Sequence, residues 1–223
     1  EIGVRLVGSE MCIRDSYSLG DFDGTTVHYD FYQILHYLEM KGKLLFGERF
    51  KIYKKDRPLI RQLCAFMIRD YNACKRYGLD CRKGILLTGP VGCGKTSLMK
   101  LVRYIVPGKL TYEMIPTRNV IFSFNHLGFK TVQEYGDSGS YCFDDLGLEP
   151  LGRFYGDNAN VMGEVLLSRY ELHQKTDHRL KTHATTNLSA TELEDRYGQR
   201  VRSRMRALFN LMAFDSNSPD KRH

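Results

Sequence analysis

The chain has 223 residues, of which 42% are hydrophobic and 26% charged, and its formal net charge is +7. This length allows one sizeable hydrophobic core with a small accessory segment. No apolar run approaches the roughly 18–20 residues that cross a bilayer. We therefore expect a cytoplasmic protein and not a membrane protein. The basic balance is compatible with contact to nucleic acid, but equally with a solvated basic surface.

The six cysteines are not arranged as a metal site or as a disulfide framework. None belongs to a C-x-x-C pair, and no histidine pair stands near them at zinc-ligand spacing. We expect Cys93 and Cys142 to fill space in the interior rather than to act as nucleophiles.

The N-terminal third of the chain is predicted to be a small helical segment after an irregular start. Residues 7–16 resemble a translated sequencing adapter, so residues 1–16 are expected to be artefactual or disordered and without function. Within residues 17–80, apolar side chains recur at helical spacing at 31–38 and again from about 57 to 77. This segment is too small for a large core of its own, so we expect it to pack on the rest of the chain.

Residues 81–223 are predicted to form an α/β domain. Short apolar runs typical of buried parallel strands alternate with amphipathic helices. Such an order implies a parallel sheet covered by helices on both faces. The predicted strands are 85–87, 120–124, 141–143 and 183–186, and the predicted helices between them include 98–105 and 161–170.

A glycine-rich loop follows the first of these strands and fits the pattern G-x-x-x-x-G-K-[ST]. Glycines let the backbone turn its N–H groups around a phosphate, and the helix after the loop adds unpaired donors and a partial positive charge. Lys95 is predicted to reach the β- and γ-phosphates of ATP, and the Thr96 hydroxyl to ligate Mg²⁺. The predicted nucleotide-binding residues are Gly89, Pro90, Val91, Gly92, Cys93, Gly94, Lys95, Thr96 and Ser97.

An acidic pair ends the strand predicted at 141–143. In this fold class the carboxyl end of such a strand lies beside the phosphate loop. Asp144 is therefore predicted to hold Mg²⁺ through water, and Asp145 to orient the attacking water as general base. Many such ATPases carry Glu where Asp145 stands, so the shorter side chain predicts slow hydrolysis.

Asn187 directly follows the strand predicted at 183–186. An amide at this point can hydrogen-bond the γ-phosphate and position water. The other interpretation is that Asn187 only caps the helix that follows. The first interpretation is favoured by the two motifs that precede it in the chain.

The last feature is a run of arginines that borders a predicted buried stripe. If residues 197–208 are helical, Tyr197, Val201, Met205 and Leu208 face inward. The arginines beside this stripe are suited to three roles: a finger that enters a neighbouring subunit's nucleotide site, contacts to DNA phosphates, or a solvated basic face. They are Arg196, Arg200, Arg202, Arg204 and Arg206.

Taken together, these motifs over about residues 84–214 resemble the AAA+ ATPases of the DnaC/IstB type, which are helicase loaders and transposition helper ATPases. The elements that carry the resemblance are Gly-Pro-Val-Gly-Cys-Gly-Lys-Thr, Phe-Asp-Asp-Leu-Gly, Thr-Thr-Asn and Tyr-Gly-x-Arg-Val-x-Ser-Arg-Met. The resemblance implies that Arg204 is the finger acting in trans and that Arg169 matches a second family arginine. Arg222 is a weak match to a sensor arginine, because its spacing from Ser218 differs from the family pattern.

The resulting expectation is a Mg²⁺-dependent ATPase that forms a homo-oligomer on ATP binding, binds DNA, and loads or remodels a replicative helicase or transposase complex. A nucleotide-gated binding module with negligible turnover is the alternative, and Asp145 is the residue that favours it. A small-molecule kinase could use the same loop, but no arginine-bearing lid is apparent between residues 145 and 190.

Overall fold

The computed structural model describes residues 2–5, 19–22, 26–106 and 111–222, and these divide into two units. The first unit comprises residues up to 81 together with 97–111, and the second comprises 82–96 together with 112 onward. No helix of the described part of the chain has the length and apolar character needed to cross a membrane.

The first unit contains three short strands and three helices. The strands form an antiparallel sheet in the order β1-β3-β2. Residues 2–5 belong to this sheet, although the sequence led us to expect no order up to residue 16; Glu1 and residues 6–16 lie outside the described residues. The elements are β1 (Ile2–Arg5), β2 (Gly20–Phe22), β3 (Thr26–Tyr29), α1 (Phe31–Phe46), α2 (Arg57–Met67) and α3 (Tyr71–Arg76).

The helix predicted at 57–77 is broken into α2 and α3. Arg69 has a φ of 60°, a left-handed conformation that cannot continue an α-helix. The Asp70 side chain then accepts a hydrogen bond from Ala73 N at 2.8 Å and starts α3 as its N-cap. The N-terminal segment therefore contains three helices together with a sheet that the sequence did not predict.

The second unit is built on a five-stranded parallel sheet in the order β10-β4-β9-β6-β5. All of β9 and most of β4 are buried, so the central strands are covered on both faces. The elements from residue 82 onward are β4 (Gly84–Thr88), α4 (Lys95–Val102, of which residues 97–102 belong to the first unit), β5 (Glu113–Pro116), α5 (Thr117–Leu127), α6 (Phe129–Asp137), β6 (Tyr141–Asp144), β7 (Gly152–Phe154), β8 (Asp157–Ala159), α7 (Val161–Lys175), β9 (Thr182–Thr186), α8 (Ala190–Leu208) and β10 (Phe209–Ala213).

The strand predicted at 120–124 is wrong, because these residues lie in α5. The buried positions of α5 are Thr117, Val120, Ile121 and Phe124, which is helical spacing, while Phe122 between them is exposed. The strand at this place in the sheet is instead β5, immediately before the helix. An apolar run of five residues does not by itself distinguish a strand from a buried helix face.

Helix α8 carries the buried stripe that the sequence predicts, with Leu193 added at its start. The helix begins with a capping box in which the Ser189 and Glu192 side chains each accept from the other's backbone N–H. It is interrupted at Gly198, where φ is 81° and ψ is 161°. The arginine run therefore follows a kink and is not continuous with the first half of the helix.

Candidate functional site

The predicted phosphate loop joins the carboxyl end of β4 to the first residue of α4. Gly92 and Gly94 have φ values of 75° and 102°, which side chains with a Cβ rarely adopt. Lys95 and Thr96 are the first residues of α4, with Ser97 next, so the loop ends at a helix N-terminus. This is the backbone arrangement that suits an anion, because unpaired N–H groups and the positive end of the helix dipole meet there.

Lys95 folds back over the loop that precedes it. Its Nζ donates to the carbonyl oxygens of Gly89 and Pro90, both at 2.8 Å. The side chain is buried, and this burial lowers the pKa of Lys95, while the charges of Asp145 and Asp144 act in the opposite sense. The ammonium group is thus held at the loop rather than in solvent.

Asp144 links three elements at the carboxyl edge of the sheet. Its Oδ1 accepts a hydrogen bond from Thr96 Oγ1 at 2.8 Å and another from Thr185 Oγ1 at 2.6 Å. Thr185 Oγ1 in turn accepts from Asp145 N at 3.0 Å. The loop helix, the strand that bears the acidic pair and the neighbouring strand β9 are therefore joined through one carboxylate.

This donor set is suitable for Mg²⁺. No group of three or more His, Cys, Asp or Glu side chains among the described residues could hold a metal on its own. Magnesium in phosphate-transfer sites, however, usually needs only one or two protein oxygens beside waters and phosphates. The Thr96 hydroxyl and the Asp144 carboxylate supply such oxygens next to the phosphate loop.

Asp145 follows Asp144 in a left-handed conformation, with φ of 59°. Loss of hydration raises the pKa of Asp145, and the negative charge of Asp144 adds to this effect. A carboxylate whose pKa moves upward becomes a stronger base. The backbone carbonyl of Asp145 accepts a hydrogen bond from Thr117 Oγ1 at 3.1 Å, which connects this turn to the start of α5.

Asn187 lies directly after β9, one residue beyond the Thr185–Thr186 pair that contacts the acidic turn. Its Oδ1 is buried and has no hydrogen-bond partner. A buried amide oxygen without a partner is costly, so this atom points to a polar ligand or water that completes it. Helix α8 is capped by Ser189, not by Asn187, which removes the capping interpretation.

Glu149 is a buried acidic residue next to the candidate site that the sequence did not reveal. Its carboxylate accepts from Gly147 N at 2.8 Å and from the Tyr197 hydroxyl at 2.6 Å. Arg196 forms an ion pair with the same carboxylate at 3.7 Å. Burial raises the pKa of Tyr197, and the Glu149 charge adds to this. The network connects the turn after Asp145 to the first half of α8.

The structure separates the two arginines that the sequence motifs singled out. Arg204 is exposed, and its guanidinium lies 4.4 Å from the centre of the Tyr170 ring. Arg169 is buried and donates to the backbone carbonyls of Ser138, Gly139 and Lys181. These carbonyls flank the starts of β6 and β9, the sheet edge opposite to Asp144. The contacts of Arg169 therefore indicate a structural role: it holds the backbone where β6 and β9 begin.

Arg222 lies in a segment that follows β10 and returns to the phosphate loop. Burial is the main cause of the pKa shifts of Lys95 and Asp145, and the positive charge of Arg222 contributes a smaller lowering to both. The neighbouring Lys221 N–H donates to Gly92 O at 3.0 Å, so Arg222 lies near the loop despite the altered spacing in the sequence. Its Nε donates to Asp220 at 3.2 Å.

Neither a protein-family model nor a curated protein matches the chain. Among solved structures, domain III of the Thermotoga maritima replication initiation protein DnaA superposes with a TM-score of 0.50 and 16% identity, over 75% of this chain and 65% of that one. The DnaC helicase loader superposes with a TM-score of 0.47 and 22% sequence identity, over 60% of this chain and 79% of that one. AMPPCP-bound DnaA from Aquifex aeolicus superposes with a TM-score of 0.47 and 14% sequence identity, over 77% of this chain and 50% of that one.

These similarities concern the fold alone, because the identities are low. The chain spans about half the length of the Aquifex DnaA structure and less than two thirds of the isolated DnaA domain. The parallel sheet, with a phosphate loop after β4 and an acidic turn after β6, agrees with the fold that the sequence motifs predicted. The chain therefore has an α/β P-loop NTPase fold, similar to that of domain III of the DnaA protein.

Proposed function

We propose that this protein binds and hydrolyses ATP with Mg²⁺, and that it acts on DNA as a helicase-loader-like or transposition-helper-like ATPase. The observation that carries the proposal is the shared hydrogen bonding of Thr96 and Thr185 to Asp144 beside the phosphate loop. These bonds join Thr96, the proposed magnesium ligand on the helix after the loop, to Asp144 at the end of β6. A homo-oligomer on ATP binding is part of the proposal, and a cytoplasmic location remains a prediction from the sequence.

The chemistry follows from the positions of five side chains. Lys95 would bind the phosphates, while Thr96 and Asp144 would hold Mg²⁺, which neutralises charge on the transferred phosphoryl group. Asp145 would accept the proton of the attacking water, and its raised pKa suits that task. Asn187 would donate from its amide nitrogen to the γ-phosphate or to the attacking water, leaving its buried oxygen to accept from water.

Two variants are expected to separate binding from turnover. Lys95→Ala should weaken ATP binding at least about tenfold. The substitution removes the ammonium group that lies at the loop, where it donates to the carbonyls of Gly89 and Pro90. Asp145→Asn should keep ATP binding and lower kcat by roughly 10²-fold or more. Both effects are measured by calorimetric ATP titration and by steady-state phosphate release.

The matched control is Lys175→Ala, an exposed lysine at the end of α7. The ATPase proposal fails if the wild type releases no phosphate under any DNA condition. If the wild type binds ATP but releases no phosphate, the nucleotide-gated binding module is the correct function, as the short Asp145 side chain favours. If it does not bind ATP, both proposals are wrong.

A surface with exposed aromatic and basic side chains supports the DNA part of the proposal. The β7–β8 hairpin is attached to α5 by a hydrogen bond from Arg153 N to Asn125 Oδ1 at 2.7 Å and by Phe154, whose ring lies 6.0 Å from that of Phe124. Tyr155 at the hairpin tip is 94% exposed, and Phe129 at the start of α6 is 67% exposed. We call this surface the aromatic–basic patch; its exposed members are His126, Phe129, Lys130, Arg153 and Tyr155.

Removing an aromatic ring from the aromatic–basic patch is expected to weaken single-stranded DNA binding. Bases stack on exposed rings while neighbouring cations contact phosphates, and each stacked base is worth about 1–3 kcal/mol. Tyr155→Ala should therefore raise the Kd for an oligonucleotide about five- to hundredfold, measured by fluorescence anisotropy. Tyr71→Ala, at an exposed tyrosine in the first unit, is the control.

The same titration repeated at several salt concentrations tests whether phosphate contacts contribute. The affinity of the wild type should fall steeply with salt, and Tyr155→Ala should keep that slope because the ring carries no charge. Binding that is absent, insensitive to salt, or equally weakened by Tyr71→Ala and Tyr155→Ala would contradict the patch as a DNA surface.

A further inference from the structure

The segment after β10 returns to the phosphate loop; we call residues 215–222 the strap. Phe214 N donates to Thr88 O at 2.9 Å, which extends the β10–β4 pairing up to the start of the loop. A turn comes next, in which Asn217 N and Ser218 N donate to the side chain and the backbone carbonyl of Asp215. This turn directs the remaining residues of the strap back toward Gly92.

Lys221 contacts the loop with both its backbone and its side chain. Its backbone N–H donates to Gly92 O at 3.0 Å, and its Nζ donates to Cys93 O at 2.6 Å. The ammonium group also lies 4.7 Å from the centre of the Phe214 ring, which keeps the side chain over the base of the strap. Two consecutive loop carbonyls are therefore held by one residue from outside the motif.

Asp220 fits against the loop only because residue 92 is glycine. A Cβ built on Gly92 would lie 2.2 Å from the Asp220 carboxylate carbon, far inside contact distance. The Asp220 Oδ1 accepts from Arg222 N at 3.0 Å and from Arg222 Nε at 3.2 Å, which gives this end of the strap a defined turn. The Asp220 side chain is thus in close contact with the loop backbone at Gly92.

The contacts of Lys221 with the loop carbonyls determine where the neighbouring loop N–H groups point. In a planar trans peptide the N–H points away from the C=O. Because Lys221 holds the Cys93 carbonyl, the N–H of Gly94 is directed to the opposite side of the same peptide plane. Lys95 holds the carbonyls of Gly89 and Pro90 in a similar way, so two lysines fix most of the loop backbone.

We propose that the strap orients the phosphate loop for nucleotide, with Lys221 as a positioning residue that sets the direction of the Gly94 N–H and of the peptide before it. This inference rests on the proposed nucleotide site and adds a residue that the loop motif does not contain. Lys221 acts through the loop backbone, so it contributes equally to ATP and to ADP. A residue that senses the γ-phosphate would instead distinguish the two nucleotides.

The test is Lys221→Met, which removes the ammonium group and keeps most of the apolar stem on Phe214. The Kd values for ATP and for ADP, measured by calorimetry, are both expected to rise about five- to tenfold. Hydrolysis should show a higher KM with kcat nearly unchanged, because ground-state and transition-state binding are weakened together. Lys221→Arg should restore part of the affinity, and Lys175→Met controls for the loss of one positive charge.

A second measurement requires no nucleotide. Amide hydrogen exchange of the peptide covering residues 88–97 should be faster in Lys221→Met than in the wild type or in Lys175→Met. If the wild type fails to bind nucleotide, the proposed function is wrong, and the strap is then judged by exchange alone. Unchanged exchange in Lys221→Met overturns the strap, as does a loss of affinity for ATP without a loss for ADP.

Discussion

Mixing Lys95→Ala subunits with Arg204→Ala subunits is expected to restore ATP hydrolysis that neither variant shows alone. Lys95 is buried in the loop of its own subunit, whereas Arg204 is exposed on α8 and rests on Tyr170. A mixed interface can pair an intact loop from one subunit with an intact arginine from its neighbour. An arginine supplied to a phosphoryl-transfer site accelerates the reaction about 10³- to 10⁵-fold, so the recovered activity should be easy to detect.

The measurement is steady-state phosphate release at several mixing ratios, with a maximum expected near equal amounts. Arg204→Ala alone should bind ATP normally and lower kcat, because the finger contacts only charge that develops in the transition state. Arg206→Ala is the matched control, since Arg206 is an exposed arginine on the same half of α8. No recovery at any ratio, with both variants folded and Arg204→Ala still binding ATP, would contradict a site shared between subunits.

Replacing Arg169 is expected to destabilise the fold and to leave the nucleotide chemistry itself intact. Arg169 as a residue is 1% exposed, and its guanidinium donates to three backbone carbonyls and, at 2.8 Å, to Thr182 Oγ1. Burial lowers the pKa of Arg169 to about 10, so the group remains charged at neutral pH. Arg169→Met leaves these buried acceptors without donors, and each unsatisfied group costs about 1–3 kcal/mol.

We therefore expect Arg169→Met to lower the free energy of unfolding by about 3 kcal/mol or more, measured by urea denaturation. Arg169→Lys should recover little of this, because one ammonium cannot reproduce the planar fork that serves several acceptors. Arg179→Met is the control, as Arg179 is exposed and donates only to Thr176 O within the described part of the chain. A stable Arg169→Met protein without ATPase activity would contradict the structural role and would favour a catalytic one.

The parts of the fold that could be predicted from sequence are those in which local chemistry and periodicity agree. The phosphate loop needs glycines with positive φ and a helix after it, and both features can be recognised in the residues themselves. The run at 120–124 was misassigned because four of its five residues are apolar, and so short an apolar run fits a buried strand as well as a helix face. Strand β10 was missed because its residues directly follow a long helix and its identity as a strand depends on pairing with β4.

The contacts within the candidate site were predictable only in part. Asp144 and Asn187 could be placed at strand ends from the sequence, but their partners come from distant parts of the chain. Thr185 was visible as a residue of the Thr-Thr-Asn motif, yet its bond to Asp144 requires β9 to lie next to β6. Glu149 and Lys221 belong to no motif, and only the folded backbone brings them to Tyr197 and to Gly92.

The kink at Gly198 sets the direction in which the second half of α8 leaves the first. The first half is anchored, since Arg196 and Tyr197 contact Glu149 behind the acidic turn. The second half bears Arg204, and the backbone between them takes φ and ψ values that only glycine adopts without strain. The second half is held as well, because Val201, Met205 and Leu208 are buried and β10 follows directly. Gly198 therefore fixes the angle between two packed halves, and with it the side of the domain on which Arg204 is exposed.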